Sequence, residues 1–157
     1  MTNKEKIGYY GERVVASLLN GRLSKDPYDR KKDMVIQIDN KNGEVKTQIR
    51  YKNEKAFTVN MSQTNQLKKC IEVDRLFFVE YGTSGYVRVY ECIDRSYRIV
   101  YGGGRQMAAF DIGKMKLIYD KKTPLAEELV RLSTVIEKSF LDDSYLYQQE
   151  VWCLDLL

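Results

Sequence analysis

Ile7, Gly11, Val14, Val15, Leu18 and Leu19 recur at helical intervals, and Gly21 follows as a C-terminal stop. This spacing predicts an amphipathic helix over about residues 3 to 20. Gly8 and Gly11 lower its intrinsic helix propensity, which close approach of the helix backbone to a sheet would offset. The pattern then turns to alternation. MVIQI (34 to 38) and EVKTQI (44 to 49) read as antiparallel strands joined by DNKNG, whose Asn-Gly ending is a hairpin signal. AFTVNM (56 to 61) is a third strand, and Ser62 caps a helix over about 63 to 73 with Leu67, Cys70 and Ile71 inward.

The largely apolar RLFFVEY (75 to 81) predicts a strand that returns beside the hairpin through a helical crossover. YVRVYEC (86 to 92), YRIVY (97 to 101) and KMKLIY (114 to 119) add strands or edges. Pro124 opens a last helix, LAEELVRLSTVIEKSF, with Leu125, Leu129, Leu132, Val135 and Ile136 on one side. The tail YLYQQEVWCLDLL is apolar and aromatic, suited to completing the core or to a dimer contact. The predicted class is α/β, a mixed central sheet flanked by helices.

With 157 residues, no internal repeat and no linker, the chain reads as one domain over 1–157. Cys70, Cys92 and Cys153 are scattered and odd in number, unlike a zinc site or a disulfide framework, and predict buried thiols in a reducing compartment. The charged N-terminus MTNKEKIGYYGER does not resemble a signal peptide, and no stretch is apolar enough for a membrane span, so a cytoplasmic protein is expected. The chain has no histidine, which excludes mechanisms with a histidine base, ligand or nucleophile. Residues 22 to 69 carry 12 of the 26 Lys and Arg but only 6 of the 22 Asp and Glu, leaving the remainder slightly acidic. That local excess suits a polyanionic partner.

Within this basic region Glu44, Lys46 and Gln48 share one face of a strand, about 6.5 to 7 Å apart in succession, while Val45, Thr47 and Ile49 take the other. Asp33 opens the partner strand, where the hairpin can bring it near Glu44. Two carboxylates held together make a hard oxygen site suited to Mg²⁺ or Mn²⁺. A lysine beside them is no ligand, but its ammonium can orient water or steady charge growing on a phosphate.

Asp33, ten residues, then Glu44-Val45-Lys46 resembles the PD-(D/E)xK nuclease superfamily, which includes restriction enzymes, Holliday-junction resolvases and some homing endonucleases. Glu12 in GERVV is similar to the acid such nucleases carry on a preceding helix, and Gln63 and Gln66 in SQTNQLKK both match the glutamine that many place on the helix after the ExK strand. The likeness covers about residues 8 to 81. The chain departs from the pattern in one respect: Lys32, not proline, precedes Asp33, while Pro27 follows Asp26 and Asp29 lies between. Asp33 is preferred because it abuts the MVIQI strand. IGYYG (7 to 11) superficially resembles the GIY-YIG nuclease motif, but its apolar spacing here is helical. GGGR (102 to 105) lacks the ending of a phosphate loop and reads as a turn.

The resemblance implies a restriction-endonuclease-like core and a DNA endonuclease of resolvase or homing type. Glu12, Asp33, Glu44 and the Val45 carbonyl would hold or support Mg²⁺ or Mn²⁺, Lys46 would act on water or charge, and Gln63 or Gln66 would assist. Arg30, Lys31, Lys32, Gln48, Arg50, Lys52, Lys55, Lys69 and Arg105 are candidates for contacts to DNA. A homodimer or higher homo-oligomer is expected, because cutting both strands usually takes two sites. The alternatives are a DNA-binding module of the same fold without cleavage, a ribonuclease, and a protein-interaction domain.

Overall fold

A computed structural model describes residues 2–25, 33–49, 55–62, 64–82, 84–102 and 104–138. The tail, Gln63 and the basic residues Arg30, Lys31, Lys32, Arg50 and Lys52 lie outside them. The chain is mixed α/β. Helix α1 (Asn3–Leu19) begins with a capping box in which the Thr2 hydroxyl and the Glu5 carboxylate exchange hydrogen bonds with each other's backbone N–H. It ends at Asn20, in the left-handed conformation with φ 52°. The stop is therefore Asn20 rather than Gly21, which starts the short strand β1 (Gly21–Leu23).

Strands β2 (Met34–Ile36) and β3 (Lys41–Ile49) form the expected hairpin, but its turn is residues 37–40, with Asn40 at φ 54°. The Asn42-Gly43 pair belongs to β3. Gly43 lies opposite Met34, and a Cβ there would stand 3.1 Å from Met34 Cγ. Packing, not turn geometry, accounts for this glycine.

After β4 (Ala56–Asn60) and α2 (Thr64–Glu72), β5 (Arg75–Tyr81) returns parallel to β3, as the crossover predicts. β6 (Tyr86–Cys92) and β9 (Lys116–Lys122) extend the sheet on the far side of β5, giving the order β1-β2-β3-β5-β6-β9. β5 is buried on both faces, which accounts for its unbroken apolar run.

The remaining strands make a second sheet that the sequence pattern did not predict. β8 (Arg105–Asp111) pairs with both β4 and β7 (Arg98–Gly102), giving β4-β8-β7. RQMAAFD lacks clean alternation, since Ala108, Ala109 and Phe110 are all buried, so this strand carried no period-2 signature. The β7–β8 turn bears out the reading of GGGR, with Gly104 at φ 76°.

Helices cover both faces of the main sheet. α1 and α3 (Pro124–Lys138) enclose one core with Val45, Phe77, Val79, Val87 and Val89. α2 and the second sheet enclose the other, around Phe57, Cys70, Phe78, Phe110 and Cys92. Phe57 stacks on Phe78 with centroids 4.7 Å apart. Cys70 and Cys92 are buried free thiols, and burial pushes the Cys70 thiol up to about 12. The inward assignments of Leu18 and Ile71 are corrected: both are exposed, at 37% and 38%, at the edges of their helical stripes. No helix of the described residues is long and apolar enough to cross a membrane.

The two helix glycines differ. A Cβ on Gly11 would stand 1.7 Å from Thr47 Oγ1, so this glycine is where α1 crosses β3 at close range. A Cβ on Gly8 would meet nothing within 4 Å, so close approach does not account for that one. Gly11→Ala should therefore destabilise the fold by at least about 1 to 3 kcal/mol through overpacking. Gly8→Ala should stabilise it by about 0.5 to 1 kcal/mol. Urea melts of both variants check this, and equal effects would contradict the crossing geometry.

Candidate active site

The β2–β3 register sets Met34 opposite Gly43, which places Asp33 beside the start of the Glu44-Val45-Lys46 segment. Asp33 is tied there at three points. Its N–H donates to Gly43 O (2.8 Å), its carbonyl accepts from Ser24 N–H (2.8 Å), and its Oδ2 accepts from Val45 N–H (2.7 Å). Glu44, Lys46 and Gln48 point to the α2 side of β3, while Val45 joins the core under α1 and Thr47 meets Gly11 there.

Glu44 is the most deeply placed of these groups, with a side chain only 2% exposed. Such a carboxylate is costly to bury unless cations face it. Lys46 Nζ lies 3.3 Å from Oε1, and Lys69 Nζ lies 3.0 Å from Oε2 and 3.7 Å from Asp33 Oδ1. The Lys69 contact to Oε2 is an ion pair without hydrogen-bond alignment, so Oε2 is buried with no hydrogen-bond partner.

Gln66, one helical turn before Lys69 on α2, accepts a short hydrogen bond from Lys46 Nζ through its Oε1. Of the two glutamines, Gln66 thus reaches the site, and Gln63 lies outside the described residues. Glu12 enters from α1, half-buried on the rim of the same cleft. That cleft, of about 690 Å³, is lined by Glu12, Asp33, Glu44, Lys46, Gln66 and Lys69 and runs on past Thr58 and Met107 of the second sheet.

Crowding of acids shows in their proton affinities. Burial first, then the charges of Glu44 and Glu12 and contact with Glu44, raise Asp33 from 3.8 to about 8, against the pull of the Val45 N–H. Burial and the charge of Glu44 raise Glu12 from 4.5 to about 7, with Lys69 and Lys46 pulling the other way. Asp33 and Glu12 thus hold their protons more tightly than free carboxyl groups, through burial first and neighbouring acidic charge second.

Among the described residues, however, no group of three or more Asp, Glu, Cys or His side chains is placed to hold a metal ion. Asp33 and Glu44 are drawn together around the Lys69 ammonium, and Glu12 acts on them through its charge from the cleft rim. The donor set itself fits a hard divalent ion: carboxylate oxygens, one of them buried without a hydrogen bond, in a chain that has no histidine.

Four of the residues expected at DNA lie among the described ones. Gln48, expected at DNA, has its amide group engaged by the backbone of Thr58: Nε2 donates to Thr58 O, and Oε1 accepts from Thr58 N–H at 3.1 Å. It clips the second sheet to β3. Lys69, also expected at DNA, is in the carboxylate site itself, 11% exposed. Lys55 is exposed outside the cleft lining. Arg105 is exposed on the same face of β8 as Met107, two residues from the cleft wall.

Sequence reading gave Lys69 to DNA rather than to the carboxylates, and it missed Arg95. Lys69 stands three residues after Gln66, a spacing that put both on one helix face and was a usable signal. Arg95 carried none: its guanidinium collects the carbonyls of Cys70 (2.6 Å), Val73 (3.0 Å) and Asp74 (3.2 Å) at the end of α2, and that of Cys92 (2.9 Å). This fixes the helix that carries Gln66 and Lys69. No protein-family model matches the chain, and no curated protein matches it.

The raised carboxyl groups predict a pH dependence. Between 3.8 and about 8 the folded chain keeps a proton on Asp33 that the unfolded chain has lost. Stability of the metal-free protein should thus fall as pH rises across that window and level off above it. Without histidine, no imidazole titration overlaps it. Asp33→Asn should melt higher than the native chain at pH 8 and show a shallower decline, read by thermal denaturation from pH 5 to 9. An identical slope in the variant would remove the crowded-acid description.

Proposed function

We propose that the protein is a divalent-metal-dependent endonuclease that hydrolyses phosphodiester bonds in DNA, built on the PD-(D/E)xK plan. One observation carries this reading: Asp33 Oδ1 and Glu44 Oε2 face a single cation position, beside the Lys46 ammonium and at the floor of an open cleft. The order of elements agrees with the plan, since α1, the β2–β3 hairpin and the α2 crossover to a parallel β5 bring residues far apart in sequence to one strand end.

Asp33 and Glu44 would hold the ion, with Glu12 and the Val45 carbonyl in support. When bound, Mg²⁺ or Mn²⁺ acidifies a coordinated water and polarises a phosphoryl oxygen, supplying the nucleophile that a chain without histidine lacks. The chain's own groups do the rest. Val45 N–H fixes the Asp33 carboxylate through Oδ2, so the acid presents Oδ1 to the cation position. Gln66 holds the Lys46 ammonium beside Glu44, where it steadies charge on the phosphate as the bond breaks. Glu12, raised to about 7, exchanges a proton readily at neutral pH.

The wall of the second sheet extends the cleft towards Arg105, and the basic excess in the sequence of residues 22 to 69 suits a polyanionic substrate. DNA and RNA would meet the same metal site, so substrate class is read by assaying both.

Lys46→Ala and Asp33→Asn should each lower Mg²⁺-dependent cleavage of supercoiled, linear or four-way-junction DNA by about 10²-fold or more while the fold is kept. Cleavage assays beside circular dichroism measure this. Equal cutting by all three proteins would abolish the assignment, and preferential cutting of RNA would make the enzyme a ribonuclease. Arg105→Ala should weaken DNA binding and reduce the slope of log affinity against log salt by about one, read by fluorescence anisotropy.

A further inference from the structure

Resting on that reading, we infer that Lys69 is the site's resident cation: its ammonium holds the place of the divalent ion between Asp33 and Glu44, and is released into the cleft, towards the substrate phosphate, when the ion enters. The four carboxylate oxygens divide in a way that leads to this. Asp33 Oδ2 is taken by Val45 N–H at 2.7 Å, and Glu44 Oε1 faces Lys46 at 3.3 Å. The other two, Asp33 Oδ1 and Glu44 Oε2, converge on Lys69 Nζ, at 3.7 and 3.0 Å.

A divalent ion shared by those oxygens would sit about 2.0 to 2.6 Å from each. An ammonium 3.0 Å from the same Glu44 oxygen would then stand almost against it, with like charge. The two cations are alternatives. Lys69 is the one that gives way, because the two oxygens it faces are the ones the ion takes, and its side chain is a flexible four-carbon stem on an anchored backbone. Arg95 grips the carbonyl of Cys70, the next residue, and that of Val73, so departure is a rotation of the side chain rather than a shift of α2.

Lys69 also lines the cleft, so its head needs little travel to reach a bound phosphate. Lys46, held by Gln66, stays with Glu44. The division of labour follows: one lysine is fixed, and the other couples metal entry to phosphate binding.

The test is Mn²⁺ binding by calorimetry, without DNA, to the native chain, Lys69→Met, Lys69→Gln and Asp33→Asn. The neutral lysine variants should bind Mn²⁺ about tenfold more tightly than the native chain, because no ammonium has to be displaced. They should cut DNA more slowly at saturating metal. Equal or weaker Mn²⁺ binding by folded Lys69 variants, in a native chain that binds Mn²⁺ and cuts, would overturn the role of Lys69 and leave the nuclease reading intact. Native binding no tighter than that of Asp33→Asn would instead remove the nuclease reading, and this inference with it. A measurement without any substitution runs alongside. In isotopically labelled native protein, the side-chain ammonium resonance of Lys69 should shift on Mg²⁺ titration, and an unmoved resonance under saturating metal would equally overturn the role.

Discussion

A buried carboxylate held between two ammonium groups is the interaction on which the rest of the molecule depends. Glu44 has almost no access to water, and its charge is tolerable only because Lys46 arrives from its own strand and Lys69 from the helix packed across it. Neither lysine suffices by position alone. Lys46 is steadied by Gln66, and both Gln66 and Lys69 ride on α2, whose far end is gripped by Arg95. Asp33 adds a second acid to the same small volume and is pinned by the backbone of the segment that carries Glu44.

The architecture serves this arrangement. A parallel β3–β5 pair requires a crossover, and the crossover is what brings α2 over the polar face of β3. The opposite face of β3 is apolar and takes α1 so closely that Gly11 has no room for a side chain. Glu12, the next residue, is delivered to the cleft rim by that same crossing. The second sheet closes the other flank, clipped to β3 through Gln48 and the backbone of Thr58. A polar residue that looked free for a ligand is thus used to define the cleft.

The cluster is also under tension of charge. Burial first, and then neighbouring acidic charge, raises the proton affinity of Asp33 and Glu12, and at Glu12 the two lysines only partly compensate. A site so constructed is receptive to added positive charge, and in the proposed enzyme that charge is both the cofactor and the displaced lysine's reason to move.

Much was legible in the sequence because it is local. Helical spacing gave α1 and α3, alternation gave the hairpin and β6, and a doubly apolar run gave a central strand. Period two put Glu44, Lys46 and Gln48 on one face, and strand pairing put Asp33 beside them. What the chain could not state locally was decided by packing. The Asn-Gly pair that reads as a turn became a strand segment because the glycine fits under Met34, and Asn40 took the turn instead. β8 has no alternation to read, since three successive residues are buried by the meeting of sheet and core. Spacing puts Lys69 on a helix face with Gln66 and Gln48 on a strand face with Lys46, but what each meets is settled only when the crossover sets one above two carboxylates and the second sheet engages the other. Side-chain periodicity is a property of neighbouring residues. The partner of a buried charge comes from wherever the fold brings a distant segment, and only the tertiary structure specifies that.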